Sequence, residues 1–455
     1  MRTRNPIGTE FLRLLRLALP LAAVQAGNQL MGVVDTAVLG RVGPEELGGV
    51  GLGNGIFFVL STLGVGTMLG LDPLVSQALG AGEPERARRL LWQGVWLAAV
   101  VTAVITPLMA LAPPLLVPLG IEPELADIAE TYLRVRLPGV FPFLLFFGLR
   151  SYLQAVGATR PLVVAMIVSN VVNAAADIVL VFGGEVLPAW AGPLRAIPPL
   201  GVTGAALATD LCLALQALIL AYAVRIVPHR GPASRRPVAA DIRAALRVGV
   251  PVGLQMMAEV AIFAFAGLLA GRLGPEALAA HQVSLTLAAF TFTLAVGVAS
   301  AGSVRVGWGV GAGDMASVRR SGYLAIGLGG GVMALGGLAF LLFPRHLAAL
   351  ITDDVATIAS AQPLLAVAAL FAVSDGVQAT GAGVLRGAGD TRFTFVANLI
   401  GHWAVSLPLC LWLGERLGVT GIWLGLAAGL TVVATSLVLR FRSLTRRPIQ
   451  KLATA

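Results

Sequence analysis

Five carboxylates lie inside long apolar runs of this chain: Asp35, Asp177, Asp210, Glu259 and Asp375. A charged Asp near the middle of a lipid-embedded helix costs about 2.5–3.5 kcal/mol. Five such residues facing hydrocarbon would cost on the order of 12–18 kcal/mol. They are therefore expected to face the protein interior, where they must be paired, protonated or bound to a cation. Their neighbours repeat at helical spacing. Asn28 and Asp35 share a face, and so do Asn170, Asn173 and Asp177, while Thr209 precedes Asp210. Gln255 lies one turn before Glu259, and Gln378 one turn after Asp375. Oxygen donors without sulfur suit a proton or a hard cation such as Na⁺ better than a transition metal. Such residues can also act as structural glue, bridging helices through hydrogen bonds to Asn and Thr.

Other polar residues carry weaker expectations. Asp72 and Arg305 lie in repeat-related segments near the basic side of the chain, and they are expected to pair across the pseudo-axis as an inner gate. His281 and Gln282 open another run, where a structural role is expected for His281 and a cavity or gate position for Gln282. Arg41 and Arg272 lie at matching run ends, where snorkelling explains them. Cys212 and Cys410 form no metal or redox pattern and read as small apolar core residues. The four histidines, His229, His281, His346 and His402, are scattered and supply no catalytic cluster. The 55 glycines fall within apolar runs rather than after strands, so no nucleotide loop is assigned.

The elements that must position these groups follow from composition. Hydrophobic residues are 57% of 455 positions and charged residues 12%, too few charges to cover a water-facing surface. Long continuous apolar runs select helices over a barrel. Twelve runs can each cross the membrane: 14–39, 50–78, 91–118, 129–155, 161–183, 201–226, 245–271, 280–309, 321–343, 362–386, 393–413 and 418–440. The first is too long for a signal peptide and is read as a retained span. The expected organisation is a first lobe over 1–227, a polar linker over 228–243 and a second lobe over 244–455. Lys and Arg concentrate at the termini and the even-numbered loops, which places both termini in the cytoplasm. The net charge of +9 is thus a topology signal and does not imply nucleic acid.

The two halves repeat. GRVGPEEL at Gly40–Leu47 matches GRLGPEAL at Gly271–Leu278, and GAGEPERARR at Gly80–Arg89 matches GAGDMASVRR at Gly311–Arg320. Pro20 and Pro251 fall on the same offset; ATR at Ala158 and DTR at Asp390 follow one residue later. Six spans per half means that the repeats share one orientation. The expected fold is an all-α membrane protein with twelve transmembrane helices in two pseudo-symmetric six-helix bundles.

VDTAVLGRVG at Val34–Gly43, AAHQVSL at Ala279–Leu285 and SDGVQATGAGVLRGAGDTR at Ser374–Arg392 resemble multidrug and toxic compound extrusion (MATE) transporters, of the NorM-type or DinF-like branches. The resemblance covers nearly the whole chain. It implies a Na⁺- or H⁺-coupled antiporter in a bacterial-type inner membrane, expelling small organic, often cationic, compounds as a monomer with no cofactor beyond the coupling ion. Through it, Asp35, Asn173, Asp177 and Thr209 match the amino-half cation cage, and Glu259 and Asp375 match the carboxyl-half acids. Asp210 matches no family position. A lipid-linked-oligosaccharide flippase of the same superfamily is the alternative, but it would be expected to have a more basic cavity. An intramembrane enzyme would need a nucleophile–base pair or metal cluster, which the sequence does not offer.

Overall fold

The computed structural model describes residues 6–227 and 234–452. Residues 228–233 of the linker, with His229, lie outside the described residues. The elements run α1 (Pro6–Leu39), α2 (Pro44–Met68), α3 (Leu71–Gly80), α4 (Pro84–Leu111), α5 (Pro123–Arg136), α6 (Val140–Ala155), α7 (Arg160–Phe182) and α8 (Gly201–Ile226) in the first half. The second half runs α9 (Ala239–Arg272), α10 (Pro275–Ala312), α11 (Met315–Leu342), α12 (Pro344–Ala349), α13 (Val355–Ala388), α14 (Thr391–Leu399) and α15 (Leu407–Leu444). Ten apolar helical runs among the described residues are long enough to cross a membrane. The last of them, Thr391–Leu444, counts twice because it reverses at Gly418 (φ 62°, ψ −146°), a conformation open to glycine. The reversal brings Gly425 against Cys410 and Gly429 against Ser406. With α1, a helix of 34 residues, the spans number twelve. Pro20 and Pro251 interrupt α1 and α9 at equivalent places, each removing one helical hydrogen bond.

Four buried clusters show how the lobes meet. The largest joins both halves, from Leu14, Leu74 and Leu153 to Ala245, Val304 and Leu385. It occupies the end that carries both described termini, the basal end. Toward the opposite end each half has its own core. Leu39, Val50, Tyr132 and Val181 pack together in the first lobe, while Ile262, Ala361, Phe371 and Trp423 do so in the second. The lobes are thus fused at the base and packed separately beyond it.

Backbone proximity at the base depends on missing side chains. A Cβ at Gly66 would stand 2.3 Å from Gly253 Cα, and one at Gly249 would stand 2.0 Å from the Thr67 carbonyl oxygen. This fits the use of small residues where helices approach closely.

Polar bonds reinforce the fusion with the symmetry of the repeat. Gln77 Nε2 donates to the Gly387 carbonyl at 3.0 Å, and Trp308 Nε1 donates to the Ala155 carbonyl at 3.0 Å. Gln77 and Trp308 stand three residues before the matched GAG motifs, and Ala155 and Gly387 stand three before ATR and DTR. Ion pairs follow the same rule. Glu10 and Asp241 stand ten residues before Pro20 and Pro251. Glu10 accepts from Arg305 Nε at 2.8 Å and from Ser321 Oγ at 2.7 Å, while Asp241 accepts from Arg89 Nε at 2.9 Å. Leu452 joins in: its N–H donates to Gln77 Oε1, and Arg86 donates to its carbonyl, both at 2.9 Å.

The expected Asp72–Arg305 pair is not formed. Asp72 accepts from Ser151 Oγ at 2.6 Å and Gln154 Nε2 at 2.8 Å, with Arg386 Nε at 3.6 Å across the lobes. Arg305 is taken by Glu10. Asp72 follows the α2–α3 turn and meets α6 and α13, whereas Arg305 faces α1. Each therefore finds a different partner in the other lobe.

A phenylalanine at Trp308 keeps the ring but removes the donor, leaving the Ala155 carbonyl unpaired at the lobe interface. Trp308→Phe is expected to cost about 1–2 kcal/mol, read as a lower melting temperature of the purified protein in detergent. An unchanged melting temperature would show that this bond does not help to hold the base together.

Candidate functional site

The acids occupy two pockets, one in each lobe, beyond the shared base. In the first lobe α1 presents Asp35, α7 presents Asn173 and Asp177, and α8 presents Thr209. The Thr209 hydroxyl lies 3.4 Å from Asp35 Oδ2 and 3.0 Å from the carbonyl of Ala205 on its own helix. Asp177 adjoins both Asp35 and Asn173. Asn173 and Asp177 are fully buried. Both Asp177 oxygens, both Asn173 amide atoms and Asp35 Oδ1 are buried without a hydrogen-bond partner among the described residues. Buried polar groups are ordinarily satisfied, so this cluster of oxygens has the chemistry to accept a proton or a small hard cation.

In the second lobe α9 presents Glu259, α13 presents Asp375 and Gln378, and α14 presents Asn398. Glu259 Oε2 accepts from Gln378 Nε2 at 3.3 Å and from Asn398 Nδ2 at 3.4 Å. Asp375 is 5% exposed and within electrostatic range of Glu259. The Gln378 and Asn398 amide oxygens are buried and unpartnered; rotation of either amide would turn its oxygen toward a cation at Glu259. Beyond Asn398 the helix takes a π-helical stretch, Ile400–Ser406, which carries the buried His402. The His402 ring lies 6.4 Å from that of Phe263, which itself packs against Phe371.

Not every expected residue joins these pockets. Gln255 is buried one turn from Glu259, at 6% exposure. Asn28 is half-buried, eight residues beyond Pro20 just as Glu259 is eight beyond Pro251, so the acid of one lobe replaces an amide of the other. Asn170 turns its amide to the Met166 carbonyl of its own helix. Gln282 is exposed. His281 is buried and accepts from Trp423 Nε1 at 3.2 Å, a packing role in the second lobe. Arg41 and Arg272 are exposed, and Cys212 and Cys410 are free and buried. Asp210 pairs with Arg136 rather than joining the oxygen cage.

Four participants were not expected. Arg136 and Tyr132 border the first pocket, Asn398 the second, and Arg150 donates across the lobes to Ser300 Oγ at 3.2 Å. Asn398 and His402 stand one turn apart in an apolar run, a signal of the same kind as Asn173 and Asp177. Arg136 sits close to a loop rich in acids, where a basic residue carries no distinct signal. Among the described residues, no group of three or more His, Cys, Asp or Glu could hold a metal ion.

Two lobes of six spans, fused at one end and carrying buried acids beyond the fusion, define a multi-pass membrane transporter. The MatE family matches this chain twice, over residues 20–179 and 251–412, which begin at the paired prolines. The chain belongs to the MATE family. A probable multidrug resistance protein NorM of Deinococcus radiodurans is 37% identical over 449 residues, covering 96% of each chain. A probable NorM of Bradyrhizobium diazoefficiens is 35% identical over 461 residues, covering 98% of this chain and 96% of that protein. A multidrug resistance MATE transporter of the MOP superfamily, solved in an outward-facing conformation, superposes with a TM-score of 0.86 at 20% identity, covering 98% of this chain and 99% of the other.

Proposed function

We propose that this protein is a cation-coupled antiporter that exports small organic cations by alternating access, with Na⁺ or H⁺ entering at the acids of the two pockets. The observation that carries the reading is the pair of carboxylates in each lobe, Asp35 with Asp177 and Glu259 with Asp375, set above a base where the lobes join. Two adjoining carboxylates repel each other when both are ionised. A proton or cation relieves that repulsion, and so does a cationic substrate in the space between the lobes. Occupancy by one disfavours the other, which is the physical basis of exchange. The NorM relatives carry the name multidrug resistance protein, which agrees with an organic substrate.

With the termini in the cytoplasm, as the Lys and Arg distribution supports, the fused base closes the inner side and the lobes part outward. Release of the basal contacts then opens the inner side. One chain supplies both lobes and both pockets, so a monomer suffices. A bacterial-type inner membrane is the proposed location.

The test is efflux of ethidium from proteoliposomes under separately imposed sodium and pH gradients. Export is expected when at least one inward gradient is imposed, and not when both are collapsed. Equal export with both gradients collapsed would overturn coupling.

A further inference from the structure

Beside the first pocket lies an ion pair between Arg136 and Asp210. Arg136 closes α5 and is 3% exposed. Its Nη1 donates to Asp210 Oδ1 at 2.6 Å. The guanidinium lies over the Phe57 ring, 4.1 Å from its centroid, and 6.0 Å from that of Tyr132. Its Nε is buried without a partner. Asp210 itself fits only because residue 139 is glycine: a Cβ there would fall 2.0 Å from Asp210 Oδ1.

The pair adjoins the coupling acids. Asp210 follows Thr209, whose hydroxyl approaches Asp35, and the Tyr132 hydroxyl is within electrostatic range of Arg136, Asp35, Asp210 and Asp177 together. The ionisable groups facing this region come from α1 (Asp35), α5 (Tyr132 and Arg136), α7 (Asp177) and α8 (Asp210 and Cys212). From α2 the contact is the Phe57 ring, and the charges of α4 lie at its basal start, Glu85 to Arg89.

We propose that the Arg136–Asp210 pair is a positioning element that sets the cation affinity of Asp35 and Asp177. The guanidinium is a fixed positive charge one turn from Tyr132, whose hydroxyl is in range of Asp35 and Asp177 as well, and a positive charge beside those acids disfavours a proton or Na⁺ at them. Asp210 holds it in place and offsets most of its field. This inference rests on the acids being the coupling site, and it makes a signed prediction that a packing role does not. Asp210→Asn leaves the guanidinium uncompensated, so protons should bind the pocket less readily. Arg136→Gln leaves an extra carboxylate, so protons should bind more readily.

The experiment is the pH dependence of tetraphenylphosphonium binding to the purified full chain. Relative to the parent, the midpoint is expected to move about one pH unit to the acid side in Asp210→Asn and about one unit to the alkaline side in Arg136→Gln. The double variant should return close to the parent midpoint. Arg136→Lys, which keeps the charge but loses the planar fork, should also stay there even if binding weakens. Weakened binding at every pH with unmoved midpoints in Asp210→Asn and Arg136→Lys, with or without a foldable Arg136→Gln, would overturn the proposal and leave the pair a folding element. An unmoved midpoint in Asp35→Asn and Asp177→Asn would instead overturn the coupling reading on which it rests.

Discussion

Replacing Asp35 by Asn, or Glu259 by Gln, is expected to lower gradient-driven ethidium efflux by more than about tenfold while the protein still folds. A tenfold loss corresponds to about 1.4 kcal/mol, well within what one buried charged partner contributes to a bound cation. Asp35 faces Asp177, and Thr209 approaches it; neutralising it removes the repulsion that makes a positive charge welcome there. Glu259 accepts from Gln378 and Asn398 through the same oxygen, and the amide oxygen of a glutamine in its place could keep those contacts while losing the charge. Folding should therefore survive in both variants, as a sharp melting transition would show. Efflux at the parent rate in both would leave these acids as helix bridges only.

The second large effect concerns the base. Valine at Gly66 or Gly249 cannot be accommodated while the lobes touch, because even a Cβ overlaps backbone at 2.3 and 2.0 Å. The wedge is expected to force the base apart, leaving the state with separated basal ends and stopping turnover by more than about tenfold, since exchange needs both states. A cysteine at Ser76, fully buried against Gly307 of the other lobe, reports the change. It should resist a membrane-impermeant maleimide in the parent background and react quickly in the Gly66→Val background. Full transport with Ser76→Cys still protected would show that the basal contact is not the moving part.

Much of this arrangement is legible in the sequence because lipid makes it so. Spans and their number follow from apolar length, and the doubled motifs around Pro20 and Pro251 announce two like lobes. The acids declare themselves because a carboxylate in an apolar run is too costly to be idle. Asn173 with Asp177, and Asp375 with Gln378, share pockets as their one-turn spacing implies. What the sequence hides is the choice among partners on other helices. Asp72 and Arg305 look like natural mates by position, yet each meets a different element, Arg386 on α13 and Glu10 on α1. Asp210 reads as one more cage oxygen until Arg136, from a helix two spans away, is found to hold it. Spacing along one helix fixes a face, and only packing fixes what that face meets.

Antiport by competition at paired carboxylates is most directly tested by counting ions displaced as a cationic ligand binds. Calorimetric titration of tetraphenylphosphonium in buffers of different ionisation enthalpy gives protons released, and equilibrium dialysis with radioactive sodium gives Na⁺ released. Net release of protons or Na⁺ is expected from the parent protein, reduced in Asp35→Asn and in Glu259→Gln. Ligand binding that displaces neither ion, or displaces as many from both variants as from the parent, would contradict it.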